Sequence, residues 1–239
     1  MADTLRAREI VLIGGSGGLG SATAHALAAA GARLVVTYRS GADRAGALAG
    51  IATILRADVT SAGDRTSALD RAPNLYGLVV FAGDPSRVSD LAVMEQIMRR
   101  SYEVNCLGPL MAAREAAIRM KGQGAAGAIV LVSTMQAVAL FPGSSAYATP
   151  KSALIHGARI LAKEYRADNV RINVIAPGVM QAGMALQSIA SGKYDSYLEN
   201  HVIARFGRAE DVAGAIRFLL APDNYVTGQV LAVDGGITL

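Results

Sequence analysis

Seven short apolar runs recur along the chain, and their spacing restricts the fold more than any other feature. They are EIVLI (9–13), ARLVVT (32–37), IATILRA (51–57), YGLVVFAG (76–83), AIVLVS (128–133), VRINVIA (170–176) and QVLAV (229–233). Each is rich in β-branched residues and nearly continuous in apolar character, as strands covered on both faces must be. Ala- and Leu-rich stretches such as 19–30 and 209–220 lie between them. Strand-like and helix-like segments in alternation predict an α/β fold, with one parallel sheet carrying helices on both faces. Two intervals are long. About 45 residues separate the fourth and fifth runs, room for two helices, and about 50 separate the last two, opening with APG. No linker or repeat interrupts the pattern, so residues 1–239 read as a single domain.

Hydrophobic residues make up 52% of the chain and charged residues 18%, enough apolar material for a large core and too little charge for a disordered chain. No run approaches the roughly 20 apolar residues of a membrane span, and EIVLIGG is too short for a signal peptide's apolar region. The single cysteine, Cys106, excludes an intrachain disulfide, fits a reducing cytoplasm and reads as a buried small hydrophobe. The net charge of +4 comes from scattered arginines with no basic block, and aromatics are only 5%, so a nucleic-acid surface is not expected. His25, His156 and His201 are isolated from one another, which leaves no spacing for a metal.

GGSGGLGSATAHALAAAG follows the first strand directly. Gly14, Gly18 and Gly20 stand at its positions 1, 5 and 7, with Ser16 and Leu19 between them. One glycine permits a tight turn, one lets backbone approach a pyrophosphate, and one lets the helix pack on the strand. The helix N-terminus then presents unpaired N–H groups to the anion. No Gly-Lys-Ser/Thr follows, which excludes a P-loop. At the end of the second strand an acid would hydrogen-bond the adenosine ribose and repel a 2′-phosphate. TYRSG offers Arg39 and Ser40 instead, and a guanidinium fits phosphate bidentately, so NADP(H) is the expected cofactor. Asp58, in RADVT with Val59 after it, is either an acceptor for the adenine amino group or a helix cap.

Tyr147 and Lys151, in SSAYATPK, fall one turn apart on one face of a helix. A nearby ammonium favours the phenolate of a tyrosine whose ordinary pKa is near 10, which makes the pair a candidate proton-transfer device. A helix starting near Ser145 would place Pro150 in its first turn, where the missing N–H is harmless.

With these motifs the chain resembles the short-chain dehydrogenase/reductases over essentially its whole length, nearest the 3-oxoacyl-carrier-protein reductases and their bacterial relatives. EVNCLG places Asn105 at the family's catalytic asparagine. RINVIAPG matches its sixth strand and nicotinamide turn, with Pro177, Gly178 and Met180, and the tail from Arg205 matches its C-terminal pattern. The resemblance implies a Rossmann-type, doubly wound sheet of seven parallel strands and hydride transfer between nicotinamide and a carbonyl carbon. It also implies a dimer or tetramer. Four positions depart from the family pattern. Thr134 stands where a serine is usual, thirteen residues before the tyrosine, and Val80 to Gly83 read VFAG for NNAG, with Ala82 and Gly83 retained beside the cofactor. Ala182 replaces a threonine, and Ile13 replaces another.

The expected activity is therefore NADPH-dependent interconversion of a ketone or aldehyde and an alcohol, with a 3-oxoacyl thioester among the candidate substrates. Tyr147 would donate the proton, Lys151 tune it and bind ribose, Thr134 orient the carbonyl oxygen, and Asn105 hold a water that extends the proton path. Residues 184–203 would form a lid, lined by Met184, Leu186, Tyr194 and Tyr197. The rival expectation is an NADP(H)-binding sensor or partner subunit that keeps the fold without turnover. Alanines 112, 113, 116, 117, 153, 158 and 162 would permit close helix packing, within the chain or between copies of a homodimer or homotetramer. Of the adjacent hydroxyls only one can face Tyr147, because neighbouring strand residues point to opposite faces. The family's thirteen-residue spacing implies that it is Thr134, the alternative being that Thr134 caps the strand end and Ser133 acts through a shifted loop.

Overall fold

The computed structural model describes residues 5–239. Its centre is a seven-stranded parallel sheet in the order β3-β2-β1-β4-β5-β6-β7. The strands are β1 (Glu9–Ile13), β2 (Arg33–Tyr38), β3 (Ala52–Arg56), β4 (Leu75–Val80), β5 (Gly127–Val132), β6 (Val170–Pro177) and β7 (Val230–Val233). Every apolar run of the sequence becomes a strand, the first with its ends as read and the others with at least one end displaced by a residue or more. The order reverses between β1 and β4, and in such sheets the crevice beyond the strands' carboxyl ends at the reversal receives the ligand.

Side chains on the central strands alternate between two cores. Val11, Ile13, Ile129 and Leu131 join one, while Ile10, Leu12, Ala128, Val130 and Val132 join the other. The first core is covered by α3 (Ala62–Asp70), α5 (Gly108–Gly122) and α6 (Ser145–Tyr165), the second by α1 (Gly18–Ala29) and α9 (Ala209–Leu220). Strands β3 and β7 lie at the edges and are only partly covered. A short helix, α2 (Ala42–Gly46), links β2 to β3.

Both long intervals are built as their lengths suggested. Between β4 and β5, α4 (Leu91–Tyr102) runs into α5 through a single π-helical turn, Glu103–Leu107, with Asn105 at its centre. Between β6 and β7 come a 3₁₀ turn (Gly183–Ala185), two short helices, α7 (Leu186–Ala190) and α8 (Asp195–Glu199), and then α9. Alanines 112, 113, 116, 117, 158 and 162 are buried in the chain's own core, leaving Leu107, Ile118 and Ile160 as the exposed apolar residues of α5, its preceding turn and α6.

One expectation is corrected. Helix α6 does start at Ser145, but this makes Pro150 its sixth residue, beyond the first turn. Already at Ala148 the amide donates to the Ser144 carbonyl, so at residue 150 a donor to Ala146 is missing in earnest.

Candidate active site

A cleft of about 1140 Å³ opens at the carboxyl ends of the strands, above the β1/β4 reversal. One end is the glycine loop. Gly14 adopts φ +73, and a Cβ there would sit 2.9 Å from the Ala82 amide, so the loop and the end of β4 touch backbone to backbone. The amide of Gly14 donates to Thr37 Oγ1 on β2 at 3.1 Å. Gly20 is pressed against Gly15, where a Cβ would lie 2.6 Å from backbone, which lets α1 begin directly beneath the loop. At the N-cap of α1, Gly17, no side chain caps the first-turn amides, and the first turn carries no acid. Gly17, Gly18 and Leu19 line the cleft. Open backbone, unpaired N–H groups and the positive end of a helix suit a pyrophosphate, so these residues fit a dinucleotide.

Next along the cleft come Arg39, Ser40, Asp58 and Val59. Asp58 is held in a local turn, accepting from the Thr60 amide at 2.9 Å and its hydroxyl at 2.8 Å. Burial pushes its carboxyl up, but these hydrogen bonds and the Arg39 guanidinium outweigh burial and hold it below the ordinary range. The cap of α3 is Ser61, not Asp58. Arg44, on α2, also lines this end, its guanidinium folded over Gly41. Sequence reasoning missed it, although its place one helical turn beyond Ser40 in SGADR was a usable signal.

At the other end stand Thr134, Tyr147 and Lys151. Lys151 is 2% exposed, and its Nζ donates to the Val132 carbonyl at 2.8 Å. Burial lowers its pKa to about 8, against a weaker upward influence of Cys106. Burial pushes the Tyr147 phenol up to about 12, opposed by the Thr134 hydroxyl and assisted by Tyr194. The neighbouring Ser133 carries on the β5 alternation, and its Oγ donates to the Lys151 carbonyl at 3.1 Å. Thr134 Oγ1 accepts from the Gln136 amide at 3.3 Å.

Asn105 is placed differently from the rest. It is fully buried, and it alone among the predicted site residues does not line the cleft. Its Oδ1 accepts from the Asp84 amide at 3.0 Å, and its Nδ2 donates to the Asp84 carbonyl and to Ser101 Oγ, both at 2.9 Å. The side chain is thus spent on structure, and any water it serves must use its main-chain carbonyl. Pro109, four residues on, has no N–H to close an α-helical bond on that carbonyl. Gly83 separates Asn105 from the lysine: a Cβ there would lie 3.2 Å from Asn105 Oδ1 and 3.6 Å from Lys151 Nζ.

Ala82, Gly83, Pro177, Gly178 and Met180 complete the predicted lining. Met184, Leu186, Tyr194 and Tyr197 also face the cleft, the two tyrosine rings stacked at 6.2 Å. Arg87, after β4, donates to the Met184 carbonyl at 3.0 Å and Ser188 Oγ at 3.1 Å, tying this covering segment to the far wall. No local pattern in the sequence marked that contact. Among the described residues, no group of His, Cys, Asp or Glu is placed to hold a metal, and no helix is long and apolar enough to cross a membrane.

Comparison with known proteins accords with this geometry. A family model described as Enoyl-(Acyl carrier protein) reductase matches residues 14–238. The 3-oxoacyl-(acyl-carrier-protein) reductase of Rattus norvegicus is 32% identical over 235 residues, covering 95% of this chain and 97% of the relative. An NADPH-dependent aldehyde reductase 2, chloroplastic, of Arabidopsis thaliana is 28% identical over 262 residues, covering 98% and 95%. Among solved structures, a short-chain type dehydrogenase/reductase from Mycobacterium ulcerans superposes with a TM-score of 0.90 at 28% identity, covering all of this chain and 91% of that one.

Proposed function

The chain belongs to the short-chain dehydrogenase/reductase family and is a hydride-transferring oxidoreductase; from that premise we propose that it reduces a ketone or aldehyde with NADPH, Tyr147 donating the proton. The observation that carries this reading is that Tyr147, Thr134 and the buried Lys151 line one cleft, with the Thr134 hydroxyl beside a phenol that burial keeps protonated.

A bound nicotinamide dinucleotide supplies the hydride, and the residues do the rest. The α1 amides and the open loop at Gly17–Leu19 hold the pyrophosphate. Arg39, with Arg44 beside it, supplies two guanidiniums where a 2′-phosphate would lie, and Asp58 is ionised to accept from adenine. Thr134 donates to the substrate oxygen and sets it beside Tyr147. As negative charge develops on that oxygen, the phenol gives up its proton. With a pKa near 8, Lys151 is mostly an ammonium at neutral pH, and its charge stabilises the phenolate left behind. The proton is replaced along Lys151 and a water on the Asn105 main-chain carbonyl.

The segment 184–203 serves as the lid, holding Tyr194 and Tyr197 over the reacting carbonyl. A 3-oxoacyl thioester is one candidate substrate, supported by the name of the rat relative. The exposed Leu107, Ile118 and Ile160 support a homodimer or homotetramer through α5 and α6, and a lone buried thiol suits the cytoplasm. The test is NADPH absorbance with a panel of ketones, β-keto thioesters and quinones, in wild type and Tyr147→Phe. Turnover lost in the variant supports the assignment; a variant as active as wild type refutes it.

A further inference from the structure

Pro150 interrupts the helix that carries Tyr147 and Lys151, and the consequence is read one turn back. An α-helical amide at residue 150 would donate to the Ala146 carbonyl, but proline has none. That carbonyl belongs to the peptide unit whose nitrogen is Tyr147's own. In its place the hydroxyl of Ser101, fully buried on α4, donates to the Ala146 carbonyl at 2.6 Å. The same oxygen accepts from Asn105 Nδ2 at 2.9 Å. Asn105 in turn is locked by the Asp84 peptide on both sides, and its Oδ1 lies against Gly83, next to the Lys151 ammonium.

We infer that Ser101 is a positioning residue for proton transfer: it replaces the hydrogen bond that Pro150 removes, and so fixes the Tyr147 peptide against Asn105. The inference rests on Tyr147 being the proton donor. A hydroxyl is needed because the site demands one donor and one acceptor on the same atom, between a carbonyl and an amide NH₂. Alanine at 101 would strand both partners in a dry site, free to shift by the fraction of an ångström that oriented proton transfer does not tolerate.

The two residues are exchangeable in principle, and this gives the experiment. Ser101→Ala, Pro150→Ala and the double variant are compared for kcat, carbonyl KM, NADPH Kd by fluorescence, the pH profile of kcat and thermal midpoint. Ser101→Ala should lower kcat by about ten- to a hundredfold, with KM and Kd within about twofold, a split expected when an interaction made in the transition state is lost. Pro150→Ala should be close to wild type. In the double variant the restored amide of residue 150 serves the Ala146 carbonyl again, and most of the lost kcat should return. An unchanged kcat in Ser101→Ala overturns the inference, as does a double variant no better than Ser101→Ala. Coupling between 101 and 150 in thermal midpoint without coupling in kcat also overturns it, leaving only a structural brace. If wild-type protein turns over no carbonyl with NADPH, the reductase reading itself fails and the positioning role with it. The thermal-midpoint cycle then still reports whether the two donors are exchanged.

Discussion

Replacing Thr134 by valine keeps the shape of the side chain and removes only the hydroxyl. That hydroxyl's one hydrogen bond within the described chain beyond its neighbourhood with Tyr147 is a long one, accepted from the Gln136 amide at 3.3 Å, so the fold depends little on it. Its donor is therefore available to the substrate oxygen, where charge grows in the transition state. Loss of one such donor costs about 10²–10³ in kcat, or roughly 2.7–4 kcal/mol. The neighbouring Ser133 has the opposite balance. Its Oγ is buried and donates at 3.1 Å to the Lys151 carbonyl, so Ser133→Ala should cost about 1 kcal/mol of stability and leave kcat within a few-fold. Thr134→Ser, which keeps the donor and drops a methyl, should retain activity and admit bulkier ketones. The assay is steady-state kinetics on one good ketone, with thermal melts of all three variants. The opposite pattern, with Ser133→Ala inactive and Thr134→Val at wild-type rate, refutes the assignment of roles.

Arg39→Ala should lower kcat/KM for NADPH about ten- to a hundredfold by removing a charge-assisted, bidentate contact, with Arg44→Ala acting in the same direction more weakly; equal use of NADH and NADPH by wild type would refute this reading. In Gly18→Ala the new Cβ would lie 2.7 Å from the Gly183 amide and 3.1 Å from Ala182 Cβ, forcing the start of the lid off the glycine loop, and NADPH titration should show Kd raised by about tenfold or more. Gly46→Ala, in α2 with nothing within 4 Å, is the control and should bind NADPH normally while gaining up to about 1 kcal/mol of stability. Lys151, at about 8 when folded against 10.5 unfolded, costs stability in full below pH 8 because the buried site must hold a charge; between pH 8 and 10.5 the folded chain sheds the proton first and the cost disappears. The stability of wild type should therefore rise relative to Lys151→Met by up to about 3 kcal/mol across that window in urea titrations, and a difference independent of pH would contradict the burial argument.

The sequence by itself determined whatever is written in consecutive residues. Continuous β-branched runs read as strands, the central ones covered on two faces, and their alternation with Ala-rich stretches called for helices between them. Gly20 is needed locally, where its backbone meets that of Gly15, whereas Gly14 and Gly18 are needed because Ala82 and Gly183, distant in the chain, arrive against them. Tyr147 and Lys151 share a helix face because four residues make about one turn. Tertiary structure decided everything that depends on which distant residue arrives beside which. Strand order and the β1/β4 reversal set where the cleft opens. The division between Ser133 and Thr134 follows from β5 carrying its alternation past the strand end until one hydroxyl meets the α6 backbone. Asn105 has the residue type of a polar site group, yet its side chain is consumed by Ser101, one helical turn back, and by Asp84, a partner 21 residues away that no local rule pairs with it. Pro150 could be read from sequence as harmless at a helix start, because helix boundaries are uncertain by a residue or more from sequence alone. Its position as the sixth residue made the lost donor real, and only packing of α4 against α6 supplied the Ser101 hydroxyl that replaces it. Arg87 reaches the cleft for the same reason: its partners, the Met184 carbonyl and Ser188 Oγ, lie about a hundred residues away in the chain.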